Sequence, residues 1–142
     1  MLKGLDPCLT PDLLRALAQM GHGDMIALVD RNYPAYANGG DVVELPQASV
    51  AEVLKAVLAV FPIDAFPGNP VLHMLTDENE PGPALPVCQQ VWNEAEGRQV
   101  RDKGINRHGS EGFYALAKRA FITIRTGETA PFACYLLPKG VL

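Results

Sequence analysis

The chain has 142 residues, 48% of them hydrophobic and 20% charged, with a formal net charge of −4, which is material for one globular domain with a two- or three-layer core. The negative balance argues against nucleic acid or an anionic membrane as the main partner, because phosphate binding depends on clustered Lys and Arg, and it suits a small or neutral ligand. No run of about 18 apolar residues appears, the start Met1 to Pro7 lacks the apolar core of a secretory signal, and Cys8, Cys88 and Cys134 show no CxxC spacing. A reduced, cytoplasmic protein without a disulfide framework or zinc knuckle is therefore expected.

In chain order, Thr10-Pro11-Asp12 predicts a helix start, with Thr as the cap, Pro at the first helical position and Asp near the positive end of the dipole. Leu13, Leu14, Leu17 and Ala18 form its apolar face, and Gly21 is the expected left-handed C-cap. Met25 to Val29 is a short apolar run that predicts a strand covered on both sides. Arg31 to Gly40, rich in Asn, Pro, Gly and Tyr, reads as a loop after that strand's C-terminal end, where α/β sheets commonly place ligand contacts. Ser49-Val50-Ala51-Glu52 is a capping box that opens a helix expected to reach about Phe61.

Pro62 to Pro70 is irregular, and Val71 to Leu75 predicts a second buried strand. After an acidic, proline-rich loop, Val87 to Glu96 predicts a helix with Trp92 on its buried side; a short strand near Gln99 to Arg101 is weakly signalled. Ser110-Glu111 predicts a helix start running through Tyr114 to Arg119, and Phe121 to Arg125 a strand. Phe132 to Leu137 is the expected final strand, antiparallel to the preceding one because few residues connect them. The sum is a single compact α/β domain, a mixed β-sheet with packed helices, spanning 1–142.

His22 stands between two glycines at a helix-to-strand junction, where the backbone can approach a ligand and the imidazole is free of helix packing. An imidazole exchanges protons near neutral pH. Asp30, at the end of the first strand, is either a turn former or cap, or a group that orients the site or binds substrate while His22 transfers the proton. Eight residues of strand span roughly 25 Å, so His22 and Asp30 meet only if the Gly23 turn folds back or another chain intervenes, and a simple dyad on one strand is not expected. His73, inside an apolar strand, reads as a hydrogen-bonded core residue, and the three histidines have no recognisable metal spacing. No phosphate loop, nucleophile elbow or nucleotide fingerprint is present.

Leu13-Leu14, Met20-Gly21-His22-Gly23-Asp24 and Asp30-Arg31-Asn32-Tyr33-Pro34-Ala35 resemble the opening of the L-fucose mutarotase and D-ribose pyranase family. Phe113-Tyr114, Ala117-Lys118-Arg119-Ala120-Phe121, Thr126-Gly127-Glu128 and Lys139-Gly140-Val141 resemble the same family in the same order. The likeness is nearer the fucose mutarotase branch, where Asn-Phe-Pro-Ala matches Asn32 to Ala35 and where a tyrosine stands at Tyr114 in place of the pyranases' lysine.

The resemblance implies interconversion of sugar anomers without metal or organic cofactor. It also implies a ring-forming homo-oligomer, commonly a decamer, with each sugar site completed by a neighbouring subunit. By correspondence His22 is the implied acid/base and Asp30 a sugar-hydroxyl acceptor; Tyr114 is a hydroxyl donor or a packed helix aromatic.

Two departures stand out. Phe132-Ala133-Cys134 replaces the family's usual Tyr, Gly or Ala, Asn, which removes a phenol and an amide from the expected sugar shell and leaves Phe132 to stack on a sugar face and Cys134 to pack. The segment Ile105 to Tyr114 is also longer than the family pattern, and if the extra residues loop out, Arg107 or His108 enters the site. A ribose pyranase and a sugar-binding or regulatory protein with little turnover are the alternative readings.

Overall fold

Thr10 opens the first helix, α1 (Pro11–Gln19): its hydroxyl accepts from the Leu13 amide, and Leu13, Ala16 and Leu17 face the core. The structure, a computed structural model, describes residues 2–38 and 40–142; Met1 of the expected chain start and Gly39 of the expected loop lie outside the described residues. The capping box at Ser49 forms in both directions and begins α2 (Val50–Leu58). The third helix, α3 (Leu85–Glu96), ends at Gly97 in the left-handed conformation, and α4 (Phe113–Ala117) follows Gly112.

The strands are β1 (Met25–Val29), β2 (Val42–Leu45), β3 (Val71–Met74), β4 (Asp102–Ile105), β5 (Ile122–Thr126) and β6 (Tyr135–Pro138). They form one six-stranded sheet in the order β2-β5-β1-β6-β3-β4. β6 alone runs against the others, pairing antiparallel with β1 on one side and β3 on the other, while the β1–β5, β2–β5 and β3–β4 pairs are parallel.

Alternation along the strands splits the core in two. Ile26, Leu28, Ile122, Ile124, Tyr135 and Leu137 pack under α1, α2 and α3, with Trp92 edge-on to Tyr135 at 5.9 Å between centroids. On the other face Ala27, Val29, Met74 and Leu136 meet Phe113 and Ala117 of α4 and Tyr33 and Ala35 of the loop after β1. Among the described residues no helix is long and apolar enough to cross a membrane.

Three expectations about turns and sheet are corrected, and one strand was not expected. Gly21 is not the left-handed residue of the first turn; α1 ends on Met20 in an extended conformation, and Gly23, at φ +86°, carries the reversal. β6 is not paired with β5: β1 lies between them, so the 127–134 connection skips a strand rather than making a hairpin. The weak strand falls at Asp102–Ile105 rather than 99–101. The edge strand β2 had no counterpart in the sequence reading, because Val42–Leu45 is short and largely unburied.

Candidate functional site

The skip connection shapes the site. Because β6 must pair on the far side of β1, residues 127–134 cross the C-terminal end of β1, where the Arg31 amide donates to the Glu128 carbonyl at 3.0 Å. The Thr126 hydroxyl, buried, donates to the Val29 carbonyl at 2.9 Å and pins the same end. Asp30 is thereby brought against Phe132 and Cys134. The C-terminal ends of β3 and β4 deliver Met74 and Arg107 to the same edge, which is where parallel sheets commonly hold ligands. A cleft of about 200 Å³ results, lined among others by Asp30, Tyr33, Arg107, Tyr114, Phe132 and Cys134. Its volume is below the roughly 300–1,000 Å³ of drug-sized sites and suits a small polar molecule.

Asp30 is 7% exposed. Its Oδ1 accepts from the Asn32 amide at 2.9 Å, and its Oδ2 accepts from the Cys134 thiol at 3.5 Å. Burial raises its pKa above the ordinary carboxylate value, opposed by the hydrogen bonds from Asn32 and Cys134. Burial and the Asp30 charge together push the Cys134 thiol well up, so this cysteine is a neutral, inert part of the cleft floor.

Tyr33 and Tyr114 stand side by side, ring centroids 5.6 Å apart. Asn38 ties them together, its amide donating to Tyr33 Oη at 2.9 Å and to the Tyr114 carbonyl at 3.1 Å. His108 lies against Tyr114 at 5.8 Å between centroids but does not line the cleft.

Arg107 does. Its guanidinium sits 5.6 Å above the Phe132 ring and pairs with Asp77 at 2.8 Å, while its buried Nε has no partner. The loop that carries it folds back so tightly that a Cβ on Gly112 would lie 2.1 Å from the His108 carbonyl oxygen. Phe132 has φ +60°, an outlier for a bulky residue that costs roughly 1–3 kcal/mol. Gly82 packs under it: a Cβ there would lie 3.1 Å from the Phe132 carbonyl oxygen and 3.2 Å from its Cβ, so Phe132 would have to shift by a few tenths of an ångström. Strain of this kind concentrates at functional sites.

His22 is not in this cleft. It precedes β1, at the opposite end of that strand from the cleft, with its side chain 55% exposed and its Nε2 3.1 Å from Asp64 Oδ2. One copy of the chain therefore brings Asp30, Arg107, Tyr114, Phe132 and Cys134 together and leaves His22 outside. His73 is buried in β3 and pairs with Asp102 at 3.3 Å; burial lowers its pKa and Asp102 opposes that.

Tyr33, Asn38, Asp77 and Asp64 were not singled out from the sequence. Tyr33 sits inside the Asn32-Tyr33-Pro34-Ala35 motif and was within reach; Asp64 sits in a proline-rich stretch whose path only the fold reveals. A larger groove of about 670 Å³ lies between α1 and β2, but Arg15 in it pairs with Asp12 at 3.2 Å and Glu44 with Arg125 at the strand edge, and among the described residues no buried unpartnered polar side chain lines it.

Solved structures that resemble the whole chain include three of sugar-related proteins. Atu2016, a candidate sugar-binding protein, is 37% identical with a TM-score of 0.91, over 100% of this chain and 97% of its own. FucU from Bifidobacterium longum is 33% identical with a TM-score of 0.89, over 99% of both chains. The fucose mutarotase from Streptococcus pneumoniae, in complex with L-fucose, is 28% identical with a TM-score of 0.89, again over 99% of both. With the model of one family matching residues 3–142, the chain belongs to the RbsD / FucU transport protein family.

Proposed function

We propose that this protein interconverts the anomers of a free monosaccharide, L-fucose or a close relative, by general acid–base catalysis in the cytoplasm. The observation that carries the reading is the cleft at the end of β1, where a buried carboxylate, a guanidinium and two tyrosines converge on a space of monosaccharide size. Similarity to a fucose mutarotase bound to L-fucose supports the substrate class, and three free thiols suit a reducing compartment.

The reaction needs little from the protein. A base removes the proton of the anomeric hydroxyl, an acid protonates the ring oxygen, and the bond between the anomeric carbon and the ring oxygen breaks, leaving the anomeric oxygen as the aldehyde carbonyl and the ring oxygen as a free hydroxyl. Rotation and reclosure give the other anomer. Asp30 accepts from sugar hydroxyls, Arg107 and Tyr114 donate to them, and Phe132 offers a ring face over which Arg107 already stacks. Cys134 keeps Asp30 oriented from below.

The proton shuttle in this reading is His22 of a neighbouring copy. Its imidazole is exposed at the end of the sheet opposite the cleft, so a head-to-tail arrangement of copies, closed into a ring, joins one copy's histidine to the next copy's cleft. A decamer-type ring is the assembly proposed.

A second reading, a sugar-binding protein with little turnover, draws on Phe132 and Cys134, which leave the cleft wall without a phenol or amide at those positions. A ribose pyranase is disfavoured by Tyr114. Saturation-transfer NMR on fucose, galactose and ribose separates these: anomer exchange accelerated on fucose and lost in His22→Ala supports the mutarotase. Binding without faster exchange supports the second reading.

A further inference from the structure

We propose that Asp64 is a positioning residue for His22, fixing the ring so that Nδ1 is the nitrogen presented to substrate. This rests on the reading of His22 as the proton shuttle. Asp64 lies 42 residues from His22 in sequence, and its side chain is only 5% exposed although its partner's is mostly in water.

Three donors converge on this carboxylate. Oδ1 accepts from the Phe66 amide at 3.1 Å; Oδ2 accepts from Asn69 Nδ2 at 2.9 Å and faces His22 Nε2 at 3.1 Å. A carboxylate has acceptors enough for all three, whereas an amide in its place must turn an NH2 group toward at least one of them. The hydrogen bonds, Asn69's first, hold Asp64 below the ordinary carboxylate range despite its burial. It is therefore an ionised acceptor at neutral pH, and it can receive a proton only from Nε2–H. Which ring nitrogen carries the proton is set by the bond the other makes, so Nδ1 keeps its lone pair and points away from Asp64.

The backbone on both sides is locked in the same register. The Asp64 amide donates to the Pro138 carbonyl at 2.9 Å, and the Gly23 amide donates to the Lys139 carbonyl at 2.8 Å. A Cβ on Gly140 would lie 2.8 Å from the Ile63 carbonyl oxygen, so the glycine lets the two loops close on the C-terminal segment. Other charges near the turn have separate duties: Asp24 Oδ2 accepts from the Gly21 amide at 2.7 Å, and Lys139 Nζ donates to the Leu17 and Met20 carbonyls. Neither competes for the imidazole.

The test uses the full-length protein labelled with 15N-histidine. In the unaltered protein the neutral His22 ring shows the Nε2–H tautomer, and in Asp64→Asn that preference is lost. The kcat for fucose anomer exchange falls about 10- to 100-fold, with KM changed little, as when an outer partner orienting a histidine is removed. A retained Nε2–H preference in Asp64→Asn, or an unchanged kcat, overturns the proposal. Should Asp64→Asn fail to fold, Asn69→Leu, which frees Asp64 from its strongest anchor, lowers kcat in the same direction; no change in its kcat overturns the assignment. An unaltered protein without any anomer exchange overturns the reading of the reaction, and the tautomer spectrum then decides the His22–Asp64 pairing alone.

Discussion

The Cys134 thiol donates to Asp30 Oδ2 at 3.5 Å, with both side chains buried at the one end of the sheet where the antiparallel strand begins and the central parallel strand ends. A weak donor thus serves the least solvated carboxylate of the cleft, and that carboxylate's pKa is raised, first of all by burial.

The consequence is a stability cost at neutral pH. Because folding raises the Asp30 pKa, its protonated form is the one the fold favours. The stabilising contribution is complete below the ordinary carboxylate value and is lost as pH rises through the higher folded value. Asp30→Asn, neutral throughout, is expected to raise Tm at pH 7 and to show no such advantage near pH 3, while anomer exchange is lost. Melting curves of both proteins across that range check it; a lower Tm for the variant at pH 7 contradicts the burial argument.

In the proposed reaction Tyr114 acts through its hydroxyl rather than its packing. Its ring sits among Tyr33 and His108, which a phenylalanine would serve equally well. Tyr114→Phe is expected to lower kcat/KM for fucose about tenfold, the scale of one hydrogen bond, at unchanged Tm. Saturation-transfer exchange rates at several fucose concentrations, together with thermal melting, read both quantities.

Lys139 caps α1 from the far end of the chain. The helix has no basic residue in its last turn and no left-handed glycine at its end; instead Lys139 Nζ donates to the Leu17 carbonyl at 2.8 Å and the Met20 carbonyl at 2.7 Å. Lys139→Met should cost about 1–2 kcal/mol, from two charge-assisted bonds at a negative helix end. Chemical denaturation measures it, and a loss under a few tenths of a kcal/mol would show the ammonium to be dispensable.

Two helix starts were legible because capping is local: Thr10 and Ser49 announce their helices within four residues, whereas Ser110-Glu111 caps nothing and α4 spans only Phe113–Ala117, after Gly112 and without a side-chain cap. Strands whose apolar runs are buried on both faces, Met25–Val29 and Ile122–Thr126, were legible for the same reason. Sheet order was not. A short connection normally signals a hairpin, yet residues 127–134 carry the chain over β1, a choice made by the sheet as a whole.

That same choice hid part of the site. Asp30, Phe132 and Cys134 were named from sequence, but their contact follows from the crossing, which no local pattern encodes. Arg107 enters the cleft because Gly112 allows the preceding loop to fold back on the start of α4. Asp64 was invisible because its link to His22 runs through the C-terminal strand, which ties together three segments distant in sequence.

The central claim is that one copy's His22 works in another copy's cleft, and subunit mixing tests it most directly. His22→Ala and Asp30→Asn should each be inactive alone. Refolded together in equal amounts, they should regain about a quarter of the activity of the unaltered protein, since a random ring joins an intact histidine to an intact cleft at that frequency. A mixture that assembles fully and stays inactive would contradict a site shared between copies.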